Sequence, residues 1–460
     1  MKKRLLGLTL AAAGFALLAQ QPDVMIKITK GEKTAIAVPD LRASGAAQQF
    51  MGVFNQTLWN DLDSAGIFRL VSKSFYPLNV PQQPTDFRPP LMPTERPRRG
   101  APPPKPISQG PWLADWSGPP VSANYLAMGY AADSAGTFAL RGWLMNVAQS
   151  DVTNATVFGK TYVGELNENG ARKVAHEFAA DILQRFGGVS LTGTKIYFVR
   201  EMKRGVKEIW SMDADGSNQK QITQYGSLSI MPGVSPDGTK IAFTSYARGN
   251  PAIFVHSLET GRRLPFYSPM STLTATPNFT PDGKQILFAS SISGDPQIHI
   301  ANADGSGVRR LTYSRAIEVE PKVNPKTGAE IVFVSGRGGP PQIYRMNMEG
   351  ADVQRLTTGE GEAVNPAWNP EGQFIAFAWT RGFAPGNYNI FVMDVATRQY
   401  NQLTHGAGRN ENPSWAPDGR HIVFSSNRSG SSQIWTMLAD GTQLRQLTTQ
   451  GRNAQPVWGK

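Results

Sequence analysis

Carboxylates and amides gather at three matching points of the C-terminal half: Glu318 with Glu320, Glu360 and Glu362 with Asn365, and Arg409, Asn410 and Glu411 with Asn412. Each group sits just ahead of a proline in one recurring phrase, as in Glu320-Pro321-Lys322-Val323, Asn365-Pro366-Ala367-Trp368 and Asn412-Pro413-Ser414-Trp415. Such side chains exchange hydrogen bonds without a deep pocket, which suits recognition of a polar protein surface. Metal or acid–base chemistry would ask for more: histidines or further carboxylates at ligand spacing. The histidines (His176, His256, His299, His405 and His421) show no such spacing. Asp213-Ala214-Asp215-Gly216-Ser217-Asn218 lacks the third acid and the distal Glu of a calcium loop, and reads as a hairpin turn. No G-x-S-x-G elbow, phosphate-cradling loop or dinucleotide fingerprint occurs, and Gly233-Val234-Ser235-Pro236-Asp237-Gly238 has the wrong spacing for a nucleophile. The chain has no cysteine, which removes disulfides, thiolate sites and a cysteine nucleophile together. The expectation is therefore a surface that binds, with no catalytic residues, no metal and no cofactor.

Positioning these groups requires a repeated scaffold. The proline phrase also occurs at Met231–Val234, Thr276–Phe279 and Gln455–Trp458, and the first five copies run into turns with prolines at 236, 281, 325, 370 and 417. Steps of about 45 residues, each with room for four short strands, are the signature of a propeller blade. Every repeat then carries a hydrophobic strand, such as Lys240–Thr244 or Phe374–Ala378, and a second such as Ala252–Phe254 or Asn389–Phe391. A hairpin turn and a third strand complete it, ending in Ile222-Thr223 in the first repeat and in Leu-Thr in the last four. In the turns proline presets φ, Asp tolerates the next position and Gly accepts positive φ. The first blade begins at Lys195 without a proline phrase, and the sixth phrase has no blade after it, so Gln455–Trp458 is expected to supply the missing strand and close a six-bladed ring. The acids and amides should then fall in loops joining an outer strand to the next inner strand, around one mouth of the channel. Loops on a rigid scaffold are where such folds bind.

Ahead of the ring, residues 20–187 read as an α/β domain, the propeller taking 188–460. Val24–Thr29 alternates and Ala35–Val38 is a short buried-type run, both strand-like. Gln48–Leu62 places Phe50, Met51, Phe54, Leu58 and Leu62 on one helical face. Strands are expected at Ile67–Val71, Tyr125–Tyr130, Phe138–Asn146 and Val157–Val163. A second helix at Asn169–Phe186 carries a continuous apolar stripe stopped by Gly187-Gly188. Both helices should cover one face of the sheet. The fold class is multidomain, an N-terminal α/β domain followed by an all-β six-bladed propeller. The stretch from about 77 to 120 is dense in proline, holds Arg96, Arg98 and Arg99, and reads as an extended loop inserted in the domain. At the N-terminus Lys2-Lys3-Arg4 precedes an apolar run to Leu18, too short for a comfortable span, so residues 1–19 read as a cleaved secretory signal. Export with no membrane insertion follows. The formal charge of +11 is spread among acids rather than clustered in a stripe, so no nucleic-acid partner is expected.

This order of parts resembles the TolB family of periplasmic propellers. The resemblance is carried by Val24–Thr29, Asp61-Leu62-Asp63-Ser64-Ala65-Gly66-Ile67-Phe68, Trp116, Lys173–Asp181 with His176, and the handover from Gly188-Val189 to Lys195–Val199. It departs from the family pattern in the length of the Pro-rich insertion, in Leu264-Pro265 where blade two should end in Leu-Thr, and in Asn324-Pro325-Lys326-Thr327-Gly328. The resemblance implies a periplasmic, monomeric, non-catalytic adaptor of the Tol–Pal system, serving outer-membrane integrity and constriction at division. A peptidoglycan-associated lipoprotein would bind Glu318, Glu320, Glu362, Asn365, Arg409, Asn410, Glu411 and Asn412 at the mouth. An inner-membrane, TolA-like partner would bind the N-terminal segment through Asp23, Val24, Ile26 and Ile28. The alternative is an exported propeller that binds a small molecule or polysaccharide in its channel.

Overall fold

A computed structural model describes residues 33–91, 93, 107–266 and 272–460. The segment expected to be a secretory signal, the expected strand at Val24–Thr29 and the middle of the Pro-rich stretch lie outside these residues. In the N-terminal domain six strands, β1 (Thr34–Ala37), β2 (Arg42–Ser44), β3 (Phe68–Leu70), β4 (Tyr125–Ser134), β5 (Thr137–Asn146) and β6 (Thr156–Glu165), form one sheet. Its order is β3-β1-β4-β5-β6, with β2 also on β4. β1 runs parallel to both neighbours, and β4, β5 and β6 form an antiparallel meander.

Two helices, Met51–Ser64 and Glu168–Arg185, cover one face. The spacing of Met51, Phe54, Leu58 and Leu62 turns one stripe of the first helix into the core, where it meets Val174, Phe178 and Ile182 of the second. Asn167 caps the second helix by accepting the Gly170 N–H at 2.8 Å. Both helices thus lie on one face of the sheet, as expected. The opposite face is buried too, under Phe87, Leu113, Trp116, Val121 and Ala123, which pack on Leu126, Met128 and Met145. Four of these five, Phe87, Leu113, Trp116 and Val121, lie at the two ends of the Pro-rich stretch or just past it, so its described ends are packed walls rather than an extended loop. A bridge between Leu91 and Ile107 holds those ends together. A few apolar residues among many prolines are enough because they settle on a preformed sheet.

The propeller has six four-stranded antiparallel sheets. The middle strands, such as Phe374–Trp379 and Asn389–Asp394, are buried on both faces and hence apolar almost throughout. The Leu-Thr endings have a specific reason. The Oγ1 atoms of Thr223, Thr312, Thr357, Thr404 and Thr448 accept the N–H groups of Ile209, Ile298, Ile343, Ile390 and Ile434 at 2.8–2.9 Å, completing pairing where the outermost strand has stopped. Blade one is closed as expected. Arg452–Gly459 lies beside Lys195–Lys203, with Ala454 opposite Val199 and Trp458 opposite Ile196.

The N-terminal domain rests on the turn face of the disc. Ser64 O accepts from His421 Nε2 at 2.7 Å, Gly66 O from Arg420 at 3.2 Å and Asp63 O from Gln443 at 2.9 Å. At Gly66 φ is +68°, a conformation that favours glycine, and an added side chain would meet the Leu438 methyl at 2.7 Å. No helix among the described residues is long and apolar enough to cross a membrane.

Candidate functional site at the channel mouth

Glu360, Glu362 and Arg409 sit in the loops joining an outer strand to the next inner strand, as expected, but the other acids and amides do not. They occupy the innermost strands Glu318–Val323, Ala363–Trp368 and Asn410–Trp415. The reason is a bulge. In each blade the residue before the phrase's proline has positive φ, between +51° and +56°: Met231, Thr276, Glu320, Asn365, Asn412 and Gln455. Register shifts at that point because proline has no N–H to give the ladder.

The bulges turn these side chains toward the axis, where they link blades. Gln455 accepts the Met231 N–H at 2.9 Å and Thr276 the Glu320 N–H at 3.3 Å. Glu320 accepts both the backbone N–H and the side-chain amide of Asn365 at 2.7 and 2.9 Å, and Asn365 accepts the Asn412 N–H at 3.3 Å. Burial pushes the Glu320 carboxyl above its usual range despite these donors and Lys322 nearby.

Glu318 and Asn410 are fully buried and act differently. Glu318 accepts from Ser314 at 2.5 Å, Ser335 at 2.9 Å and Arg337 at 3.0 Å, while the guanidinium stacks over Phe333 and Tyr344. Asn410 accepts from Arg428 at 2.7 Å, and that arginine lies over Phe424 and Trp435. These two residues hold the mouth in shape and present nothing to a partner.

Glu362, Arg409 and Glu411 form the accessible group, Arg409 exposed and the two acids half-buried. Tyr388 donates to Glu362 at 2.5 Å, Arg409 lies over the Tyr388 ring at 5.5 Å, and Arg409 pairs with Glu411 at 2.9 Å. The Tyr388 hydroxyl is raised by burial and then by the Glu362 carboxylate. Burial also raises Glu411, with Arg409 opposing. The result is a pre-shaped patch across blades five and six, beside the channel and on the face away from the N-terminal domain. Asp23, Val24, Ile26 and Ile28 lie outside the described residues. Sequence reading passed over Tyr388, Arg337 and Arg428; the Arg that recurs between the two hydrophobic strands of a repeat (Arg337, Arg381, Arg428) was the available signal. Among the described residues no His, Asp and Glu group is arranged to hold a metal.

Comparison with known proteins gives a consistent picture. Residues 187–383 and 359–460 match the model of the TolB beta propeller domain. A Protein TolB homolog from Chlorobium chlorochromatii is 36% identical over 31% of this chain and 31% of its own. The Tol-Pal system protein TolB of Bordetella pertussis is 30% identical over 67% of this chain and 64% of its own. The chain thus spans less than a third of the first relative and just under two thirds of the second. The crystal structure of TolB from Acinetobacter baumannii superposes with a TM-score of 0.74 at 23% identity, covering 93% of this chain and 97% of that one, a likeness of fold.

Proposed function

The chain belongs to the TolB β-propeller family, and from that premise we propose that it is a non-catalytic periplasmic adaptor of the Tol–Pal system. In this reading the chain is exported by a cleaved signal and acts as a monomer. The mouth docks a peptidoglycan-associated lipoprotein, and the N-terminal segment around Asp23, Val24, Ile26 and Ile28 engages an inner-membrane, TolA-like protein. Linking the two would maintain the outer membrane and support constriction at division. The observation that carries the reading is the patch of Glu362, Tyr388, Arg409 and Glu411, fixed by its own hydrogen bonds and facing away from the N-terminal domain. A surface held rigid before contact loses little side-chain entropy on binding.

Titration of a soluble peptidoglycan-associated lipoprotein against wild type and the Glu362→Lys, Glu411→Lys double variant tests it. The variant should associate more slowly and with altered salt dependence. Equal affinity and equal on-rate for both proteins would move the docking site off the mouth.

A further inference from the structure

Below the bulge ring the channel has a second ring, and it is unlike the first. Gly233, Asn278, Lys322, Ala367, Ser414 and Val457 occupy the matching position in blades two to six and one, each two residues beyond its bulge. Lys322 is the charged member. Its side chain lines an axial cavity of about 580 Å³ and forms no ion pair among the described residues. The charge of Glu320, on the same strand, favours the ammonium, but each Glu320 oxygen accepts from Asn365 and no ion pair with Lys322 forms.

The neighbouring polar groups are donors as well. Asn278 uses its carbonyl oxygen on the Val323 N–H at 3.4 Å, which leaves its NH2 for the channel. Ser414 Oγ accepts the Trp458 N–H at 3.0 Å, which leaves its hydroxyl proton to give. Ala367, at the matching position of the blade after that of Lys322, takes up little space in the cavity. An ammonium half-buried on a channel wall gains from a partner, and the group that pairs it here must accept hydrogen bonds and carry negative charge.

We propose that this lower ring is a carboxylate site, with Lys322 as its cationic donor and Asn278 and Ser414 as supporting donors. The carboxylate comes either from a free dicarboxylate or from an Asp or Glu side chain that a docked partner extends down the mouth. The second source rests on the mouth reading above and specifies what the partner inserts. Burial depresses the Lys322 ammonium, in keeping with a group that gains from a counter-ion.

The Trp368 indole donates to Lys322 O at 3.1 Å, so its 15N–1H signal reports on the ring. Glutarate, calcium chloride and a soluble peptidoglycan-associated lipoprotein are titrated in turn against wild type, Lys322→Met, Lys322→Arg and Glu320→Gln. Glutarate or the protein should move the Trp368 signal saturably. Lys322→Met should weaken that probe at least about tenfold, while Lys322→Arg stays within a few-fold of wild type and Glu320→Gln is not weakened. Glutarate responding identifies a free ligand, and the protein alone responding identifies an inserted side chain. Neither probe depending on Lys322 overturns the proposal, as does calcium alone moving the signal. If the protein binds Lys322→Met normally but not the Glu362→Lys, Glu411→Lys variant, the channel site falls and the mouth reading stands.

Discussion

Blade five and the N-terminal sheet both bury two faces, but with different materials. The faces of the blade meet copies of itself: Trp368 packs toward blade four and Trp415 of blade six packs back, each indole donating to the innermost strand of the preceding blade at 3.1–3.2 Å. The N-terminal sheet meets two unlike partners, a helix pair on one side and the ends of a proline-rich segment on the other. A repeated contact makes stability collective, so the ring depends on being closed. Unique contacts make it local, so each wall of the N-terminal sheet can fail alone.

Breaking closure should have the largest effect. Deleting residues after Gln450 removes Arg452–Gly459, which opens the inner edge of Lys195–Lys203 and uncovers the face of the neighbouring blade. Loss of Trp458 alone is worth about 3–5 kcal/mol. Calorimetry should show the propeller transition lost or shifted far down, and a truncated chain melting within a few degrees of full length would contradict the closed ring.

Trp116→Ala probes the other kind of burial. The side chain is fully buried against the N-terminal sheet, so about 3–5 kcal/mol should be lost there. The propeller transition should stay in place. If both transitions drop together, the two regions are one cooperative unit and the contrast drawn here fails.

A smaller effect is expected within one repeat. Thr357→Val takes the acceptor from the buried Ile343 N–H, a loss of about 1–3 kcal/mol. Amide exchange should quicken at Ile343 and its blade and fade with distance around the ring.

The smallest is a pH effect in the N-terminal domain. His176 Nδ1 lies 2.6 Å from Asp61, joining the two helices. Burial alone would lower the imidazole, but the hydrogen bond and charge of Asp61, with Asp215 of the propeller, raise it overall. The stabilisation is therefore complete below the unfolded histidine value of about 6.5 and fades as pH rises through the raised folded value. Melting across that window should fall for wild type and stay flatter for His176→Gln, with at most about 1.5–3 kcal/mol at stake.

Legibility in the sequence followed the same division. Turn chemistry and period placed all six blades and the closing strand, because the Pro-Asp-Gly and Leu-Thr spellings are local requirements. The helices at Met51–Ser64 and Glu168–Arg185 were visible for the same reason. What period cannot show is which way a side chain leaves a bulge. Glu318 and Glu320 are two residues apart and look alike in sequence, yet one is sealed under Arg337 and the other lines the channel. Tyr388, in an irregular loop, stayed hidden because its role depends on Glu362 reaching it from 26 residues away. The apolar residues at the ends of the Pro-rich segment were masked by their composition.

Hydrogen exchange on the full chain, with and without a soluble peptidoglycan-associated lipoprotein, tests the docking mouth most directly. Protection is predicted at residues 357–362 and 404–411, with the turn face at 215–217 and 439–443 unchanged. Protection confined to the turn face or to residues 77–91, with the mouth exchanging as before, would contradict it.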